Sequence, residues 1–189
     1  PVPTGPAVVG VRPGPRSGPG LPSVNGVTFD ESFSLAVQDI YDGTASATGT
    51  PTDVAFSSEG AIAVWTLMNV KNPDFSVLLQ DLEKTGGLLS NAGQVVVQGD
   101  PTDGWTLVSY DGVATPQDPG LGTELFVDFR DLFEAPQFAG YDIYEALLTG
   151  NSATIDTAIQ TGISQVDTAL SQFPVEVFDQ IVAAFGGSI

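Results

Sequence analysis

The first 22 residues contain half of the chain's prolines, and this clustering limits what the N-terminus can fold into. They hold 7 of the 14 prolines and 5 of the 22 glycines. Proline fixes φ and has no amide hydrogen, so a segment this rich in proline cannot form a helix or a central strand. We therefore predict an extended Pro/Gly-rich arm over residues 1–24 and a single acidic domain over residues 25–189.

Charge divides at nearly the same place. The arm carries Arg12 and Arg16 and no acid, whereas all 23 acidic residues lie from Asp30 onward. One hypothesis is a flexible tail; the other is a strap on the acidic body of another subunit, with the two arginines as contacts and the apolar run 7–11 added to a neighbour as an edge strand. The formal net charge of −18 disfavours nucleic acid and anionic membranes as partners.

The absence of histidine and cysteine excludes several kinds of chemistry. Disulfides, thiolate or imidazole catalysis, zinc fingers and Cys-ligated iron–sulfur clusters are impossible. No Walker loop and no Gly-x-Ser-x-Gly segment is present either. Catalysis would have to use carboxylates, as in a glycosidase that pairs Asp128 or Asp131 with Asp142 or Glu145. We predict that the protein is not an enzyme and has no cofactor.

Acidic residues in turns make calcium the one metal to consider. Asp100, Asp103 and Asp111, with Asp118 further on, could supply the oxygen ligands that Ca²⁺ prefers. The run lacks the ligand order and the final Glu of an EF-hand loop. The alternative is that each aspartate accepts hydrogen bonds from its own turn.

The domain reads as an α+β fold with a small antiparallel sheet and a helical C-terminal third. Thr28 and Glu31 resemble a capping box that begins a helix, with a strand over 26–37 as the alternative. A second helix is predicted from Ser58 to Val70. A third is predicted to begin at Asn72-Pro73-Asp74, with Asn72 as its N-cap, and to end at Gly86. Residues 94–110 are predicted to form a β-hairpin.

Two apolar stripes are predicted in the last forty or so residues. A helix capped by Asn151 or Ser152 would carry Ile155, Ile159, Ile163, Val166, Leu170 and Phe173, and Pro174 would end it. A last helix would carry Val175, Phe178, Ile181, Val182 and Phe185. One stripe is enough for the core, so we predict that the second binds a partner. Core packing and an apolar ligand held between the C-terminal helices are the alternatives.

Residues 144–159, Tyr-Glu-Ala-Leu-Leu-Thr-Gly-Asn-Ser-Ala-Thr-Ile-Asp-Thr-Ala-Ile, resemble exported mycobacterial proteins of the PE/PPE-like kind. In those proteins a Leu-Leu-x-Gly-Asn turn precedes Ala-rich helices. The resemblance implies an actinobacterial protein of the cell envelope or the extracellular space. Because the chain begins with Pro1, we expect either signal cleavage or Met removal. A virion or the cytoplasm is the alternative location.

The function predicted from the sequence is therefore a non-enzymatic structural or interaction subunit of a larger homomeric or cell-envelope assembly. A lipid-binding module is the first alternative. A virion or phage structural subunit and a carboxylate-dependent glycosidase come third. No stretch of the sequence is apolar for the roughly 20 residues that a membrane-spanning helix needs.

Overall fold

The computed structural model describes residues 8–10, 22–44 and 52–186, with side chains from 26–43 and 52–186. Within these ranges there are five helices and five short strands, so the predicted α+β class, the small antiparallel sheet and the helical C-terminal third are confirmed. The predicted arm at 1–24 lies mostly outside the described residues. The elements, in chain order, are β1 (Val8–Gly10), α1 (Pro22–Thr44), β2 (Val54–Phe56), α2 (Glu59–Asn69), α3 (Phe75–Thr85), β3 (Val95–Asp100), β4 (Gly104–Tyr110), β5 (Val113–Ala114), α4 (Leu121–Leu148) and α5 (Ser152–Ala184).

The chain falls into two compact units. The first contains Thr28–Gln117 together with β1, and the second contains Asp118–Ile189 together with the first turns of α1. The predicted boundary between an arm at 1–24 and one domain at 25–189 stays a prediction.

The sheet of the first unit is the predicted hairpin with one short strand added. β3 pairs antiparallel with β4, and β4 pairs antiparallel with β5. A register shift between Val96 and Val97 marks a bulge in β3. Gly99 and Gly104 close the hairpin; a Cβ on Gly99 would collide with the Gly104 carbonyl, so only glycine fits there.

β1 departs from the expectation for residues 7–11. Val8–Gly10 pairs in parallel with β2 of the same chain, with Val8 opposite Val54. The edge strand that the sequence suggested for a neighbouring subunit is thus formed within the chain.

Asn72 is not the N-cap that the sequence predicted. Asp74 caps α3 by accepting from the amides of Ser76 and Val77. Asn72 is buried instead: its Nδ2 donates to the Leu107 carbonyl, and its Oδ1 accepts from the Leu107 amide at 2.7 Å. These bonds join the start of α3 to β4. The core around this joint comprises Ala63, Val70, Val77, Leu78, Leu89, Leu107 and Tyr110.

The predicted start of the first helix is also wrong, as is the alternative of a strand over 26–37. α1 begins at Pro22, before the proposed capping box of Thr28 and Glu31. Proline suits the first position of a helix, because that amide has no intrahelical partner there. The predicted starts and ends of α2 and the end of α3 are confirmed: Ser58 caps α2, and Gly86 ends α3 with φ of 75°.

Pro174 does not end a helix. α5 continues through it from Ser152 to Ala184, so the two predicted C-terminal helices are one. A proline inside a helix removes the hydrogen bond to the carbonyl four residues before, here Leu170. Leu170 and Pro174 are both exposed, so water can solvate that carbonyl. The exposure of both residues therefore explains why the chain tolerates the proline.

Candidate partner-binding site

The second unit is built on a hairpin of the two longest helices, and a short turn fixes its geometry. The Thr149 hydroxyl donates to the Ala146 carbonyl at the end of α4. Gly150 takes the left-handed conformation, with φ of 64°. Asn151 then caps α5 by accepting from the amides of Ala153 and Thr154. The Thr-Gly-Asn segment that carries the PE/PPE-like resemblance is therefore the turn between α4 and α5.

Small residues let the two helices approach closely at mid-length. Gly162 is the one buried residue of α5, which the structure describes in full. A Cβ placed on Gly162 would lie 3.0 Å from the Cβ of Ala139 on α4. Nearer the open end, the rings of Phe129 and Phe173 meet edge to face, with centroids 4.8 Å apart. These two contacts establish an antiparallel hairpin whose seam is narrow.

The narrow seam leaves much of the apolar surface exposed. Ile155, Val166 and Phe173 are half-buried, whereas Ile159, Ile163 and Leu170 are exposed, the last two by 64% and 59%. The stripe predicted as one seam along the first half of α5 is therefore divided between a buried and an exposed side. Helical spacing alone could not separate these two sides, because the division depends on where α4 lies.

Exposed apolar side chains from both helices lie on the same side of the hairpin. At 3.6 residues per turn, the exposed apolar residues of α4 and those of α5 are rotated from the seam toward one and the same side of the hairpin. The antiparallel register places Phe133 level with Leu170. We call this surface the hairpin apolar face; it comprises Phe129, Phe133 and Leu147 on α4 and Ile159, Ile163, Leu170 and Ile181 on α5.

The predicted interface residues of 175–185 lie partly on this face. Val175, Phe178, Ile181 and Phe185 are exposed, by 39% to 83%, and Val182 is half-buried. Helical spacing places Ile181 and Phe185 on the same side of α5 as the hairpin apolar face. Phe178 lies at the outer edge of that face. Val175 and Val182 lie on the side of α5 that faces away from α4. The α4 residues of the face were missed, although the i, i+4 spacing of Phe129 and Phe133 was visible. Arg12 and Arg16 lie outside the described residues.

The opposite side of the hairpin is polar. A cavity of about 640 Å³ there is lined mainly by hydroxyl, amide and carboxyl groups: Asp128, Asp131, Gln160, Thr161, Ser164, Gln165, Thr168, Gln172 and Glu176, with Leu132, Ala169 and Phe173. Most of these polar residues are also exposed to solvent. The lipid-binding alternative stays a prediction.

Asp128 is the unusual group of this polar side. Its side chain is buried, and its Oδ2 has no hydrogen-bond partner among the described residues. Burial raises the pKa of Asp128, a hydrogen bond from Gln180 lowers it in part, and the charge of Asp131 raises it further. Burial likewise raises the pKa of Glu176, with smaller contributions from Asp128 and Asp131. Both carboxyl groups thus bind a proton more readily than an isolated carboxyl group in water.

The carboxylates proposed for a glycosidase are not brought together. Asp128 and Asp131 lie fourteen and eleven residues before Asp142 on the continuous helix α4. At 1.5 Å per residue these separations are about 21 and 16 Å. Glu145 lies one turn farther along the same helix. A glycosidase pair needs roughly 5–9.5 Å, so these residues cannot flank one glycosidic bond.

The three aspartates considered for calcium lie at two ends of the hairpin. Asp100 accepts from the amides of Thr102 and Asp103, at 2.8 Å each, and so closes its own turn. Asp111 follows the far end of β4 and accepts from the Ser90 hydroxyl. No group of three possible metal ligands occurs among the described residues. Asp118 accepts from the Gly120 amide, as the alternative of hydrogen bonding within the turn expects.

Among the helices in the part of the chain that the structure describes, none is long and apolar enough to cross a bilayer.

Comparison with known proteins gives one informative match. The chain is 45% identical over 178 residues, 91% of its length, to the PE-PGRS family protein PE_PGRS11 of Mycobacterium tuberculosis. It spans 29% of that protein. No protein-family model matches the chain, and no solved structure matches it. The similarity confirms the relationship to PE/PPE-like mycobacterial proteins that residues 144–159 indicated.

Proposed function

We propose that this chain is a non-enzymatic interaction subunit of a cell-envelope assembly, and that the hairpin apolar face is the surface that binds its protein partner. The observation that carries the proposal is the exposure of large apolar side chains on one side of α4 and α5. Phe133, Ile163 and Leu170 are each exposed by more than half. Monomeric soluble proteins rarely expose contiguous apolar surface of this kind without a partner.

The charge distribution supports a protein partner over a membrane surface. α5 carries no Lys or Arg, and the whole chain has five. Helices that lie on membranes are usually rich in these residues, which meet anionic headgroups. The similarity to a PE-PGRS family protein supports the cell envelope or surface as the location and gives no indication of an enzyme.

Photo-crosslinking in mycobacterial cells tests the face directly. A photoreactive amino acid at Ile163 or Leu170 should yield a discrete adduct of higher mass in the envelope fraction. The matched control is Gln165, which lies on the same helix in the polar cavity on the opposite side. Absence of an adduct at both apolar positions, or equal adducts at Gln165, would contradict the proposal.

The mass of the purified full chain tests whether the partner is a second copy. For a homomer, light scattering should give a defined oligomer that Leu170→Glu dissociates and Gln165→Glu does not. Each variant adds one negative charge to α5, so general repulsion is matched between them. An oligomer that survives Leu170→Glu would place the subunit contact elsewhere and refute the homomeric use of this face.

A further inference from the structure

A second cavity lies in the first unit. It is an open groove of about 540 Å³, a volume within the range of small-molecule sites. One helical face of α1 forms a wall, the end of α2 forms another, and the β3–β4 turn closes the third. The lining comprises Glu31, Ser34, Leu35, Gln38, Asn69, Pro101, Gly104 and Trp105.

The aromatic wall of the cavity is held rigidly. Trp105 begins β4, and its carbonyl accepts from the Lys71 amide at 2.9 Å. Its ring packs against Trp65 at 6.2 Å and against the edge of Tyr41 at 6.4 Å. The ring remains half-buried and contributes to the lining of the cavity. A ligand would therefore meet a fixed aromatic surface whose position costs no ordering on binding.

The polar wall is fixed by a chain of hydrogen bonds. The Trp65 indole donates to the Ser34 hydroxyl at 3.0 Å, and that hydroxyl donates to Asn69 Oδ1 at 3.4 Å. Asn69 Nδ2 donates to buried Asp30 at 2.6 Å and to the Trp65 carbonyl at 3.1 Å. Ser34 and Asn69 are thus oriented before any ligand arrives, as a specific polar site requires.

The chemistry of the lining selects the ligand class. None of the described lining residues is basic, although the Lys71 ammonium lies 3.8 Å from the position that a Cβ on Gly104 would take. The one charged group within the described lining is the carboxylate of Glu31, which disfavours a phosphate or carboxylate ligand. The net charge of −18 also repels anions.

The lining offers a ligand an aromatic ring, a hydroxyl, two amides and the carboxylate of Glu31. Together they can contact C–H groups on one side and bind hydroxyl groups on the other. Ser34 and Asn69 would accept from ligand hydroxyls, because their own protons already bond protein groups. Gln38 can accept through Oε1 and keeps one amide proton beside the one that it donates to Asp42.

From this arrangement we infer that the cavity binds a neutral sugar, with one ring face against Trp105 and the hydroxyl groups toward Ser34, Gln38 and Asn69. A pyranose has an apolar C–H face and a polar hydroxyl edge, which match the two walls. The volume accommodates about one or two sugar rings. This site is independent of the hairpin apolar face, so either proposal can fail alone.

Nuclear magnetic resonance on the full chain tests the inference with defined probes. The probes are glucose, mannose, galactose, arabinose, maltose and lactose, with choline as a cationic comparison. At least one saccharide should shift the Trp105 indole signal in a saturable way, and its ring C–H protons should receive magnetisation from the protein. The chain has two tryptophans, so Trp105→Phe assigns the signal.

Two variants locate the site. Gln38→Ala should weaken saccharide binding about tenfold, as expected for loss of one hydrogen bond to the ligand. Gln80→Ala removes the same kind of side chain from an exposed position of α3 in the same unit and should leave the affinity unchanged. Because Trp105→Phe keeps an aromatic ring, the fold should survive it. The proposal is overturned if no saccharide binds, or if Gln38→Ala leaves saccharide binding unchanged. It is also overturned if choline binds and the saccharides do not, because Glu31 and Trp105 would then hold a cation.

Discussion

Gly162 offers the sharpest test of how the α4–α5 hairpin is held together. A Cβ at this position would meet the Cβ of Ala139 at 3.0 Å and the Cδ1 of Ile143 at 3.5 Å. Replacing glycine inside a helix by alanine normally adds roughly 1 kcal/mol to the free energy of unfolding. At Gly162 the short contact opposes that gain. Gly162→Ala should therefore change the free energy of unfolding by much less than that amount.

Gly140 on α4 provides the matched control. A Cβ there would have no atom within 4 Å, so Gly140→Ala should show the full stabilisation of roughly 1 kcal/mol. A larger side chain separates the sites further. Gly162→Leu must displace Ala139 and Ile143 and should destabilise by roughly 1–3 kcal/mol. Gly140→Leu has open space and should not destabilise.

Urea unfolding followed by far-ultraviolet circular dichroism measures all four variants, because α4 and α5 hold most of the helical residues. The decisive quantity is the difference in the free energy of unfolding between Gly162→Ala and Gly140→Ala. Equal stabilisation by Gly162→Ala and Gly140→Ala, or a Gly162→Leu variant as stable as the parent, would refute the close approach of the helices at this point.

Four further predictions concern buried and exposed groups in both units. Asn72→Ala leaves the amide and carbonyl of Leu107 unpaired in the core and should lower the free energy of unfolding by roughly 2–5 kcal/mol in urea titrations. Burial, with the charges of nearby acids, raises the pKa of Tyr110 to about 12; because the unfolded value is about 10, stability should fall between pH 10 and 12, and Tyr110→Phe should lessen that fall. Burial raises the pKa of Asp128, so its ionised form opposes folding; Asp128→Asn should stabilise the protein at pH 7, and the gain should shrink as pH falls toward 4, which thermal unfolding across that range measures. Phe178 is 56% exposed, so Phe178→Ala should cost only about 1 kcal/mol of unfolding free energy, and a loss of 3 kcal/mol or more would show that it is a core residue.

Local signals predicted several elements correctly because the forces involved act within a few residues. Ser58 caps α2, Gly86 ends α3 in a left-handed conformation, and Asn151 caps α5. Each of these depends on a side chain reaching an amide two or three residues away, or on the freedom of glycine. The hairpin over 94–110 was predictable for the same reason, since its turn residues and alternating strands are adjacent.

The sequence-based predictions of helix ends failed where contacts between residues distant in the chain set the local structure. Asn72 is a residue type that often caps helices, but its side-chain amide donates to the carbonyl of Leu107, 35 positions away. Pro174 has the properties of a helix breaker, but α5 continues through it at a position where Pro174 and Leu170 are both exposed. No pattern within ten residues of either position carries this information. The cavity beside Trp105 was missed likewise, because α1, α2 and the β3–β4 turn meet there only in the folded unit.

The sequence by itself determined that this chain contains no histidine or cysteine, that it is strongly acidic from Asp30 onward, and that its last third forms apolar-striped helices. These properties follow from composition and helical periodicity, which can be read without knowing which residues lie close together in the folded chain. Only the tertiary structure decided which apolar residues remain exposed. Ile155 and Ile159 are equally apolar and one turn apart on α5, but the small residues at Ala139 and Gly162 make the seam with α4 narrow. A narrow seam covers Ile155 in part and leaves Ile159, Ile163 and Leu170 on the outside, because two helices in close contact can bury only the side of each that faces the other.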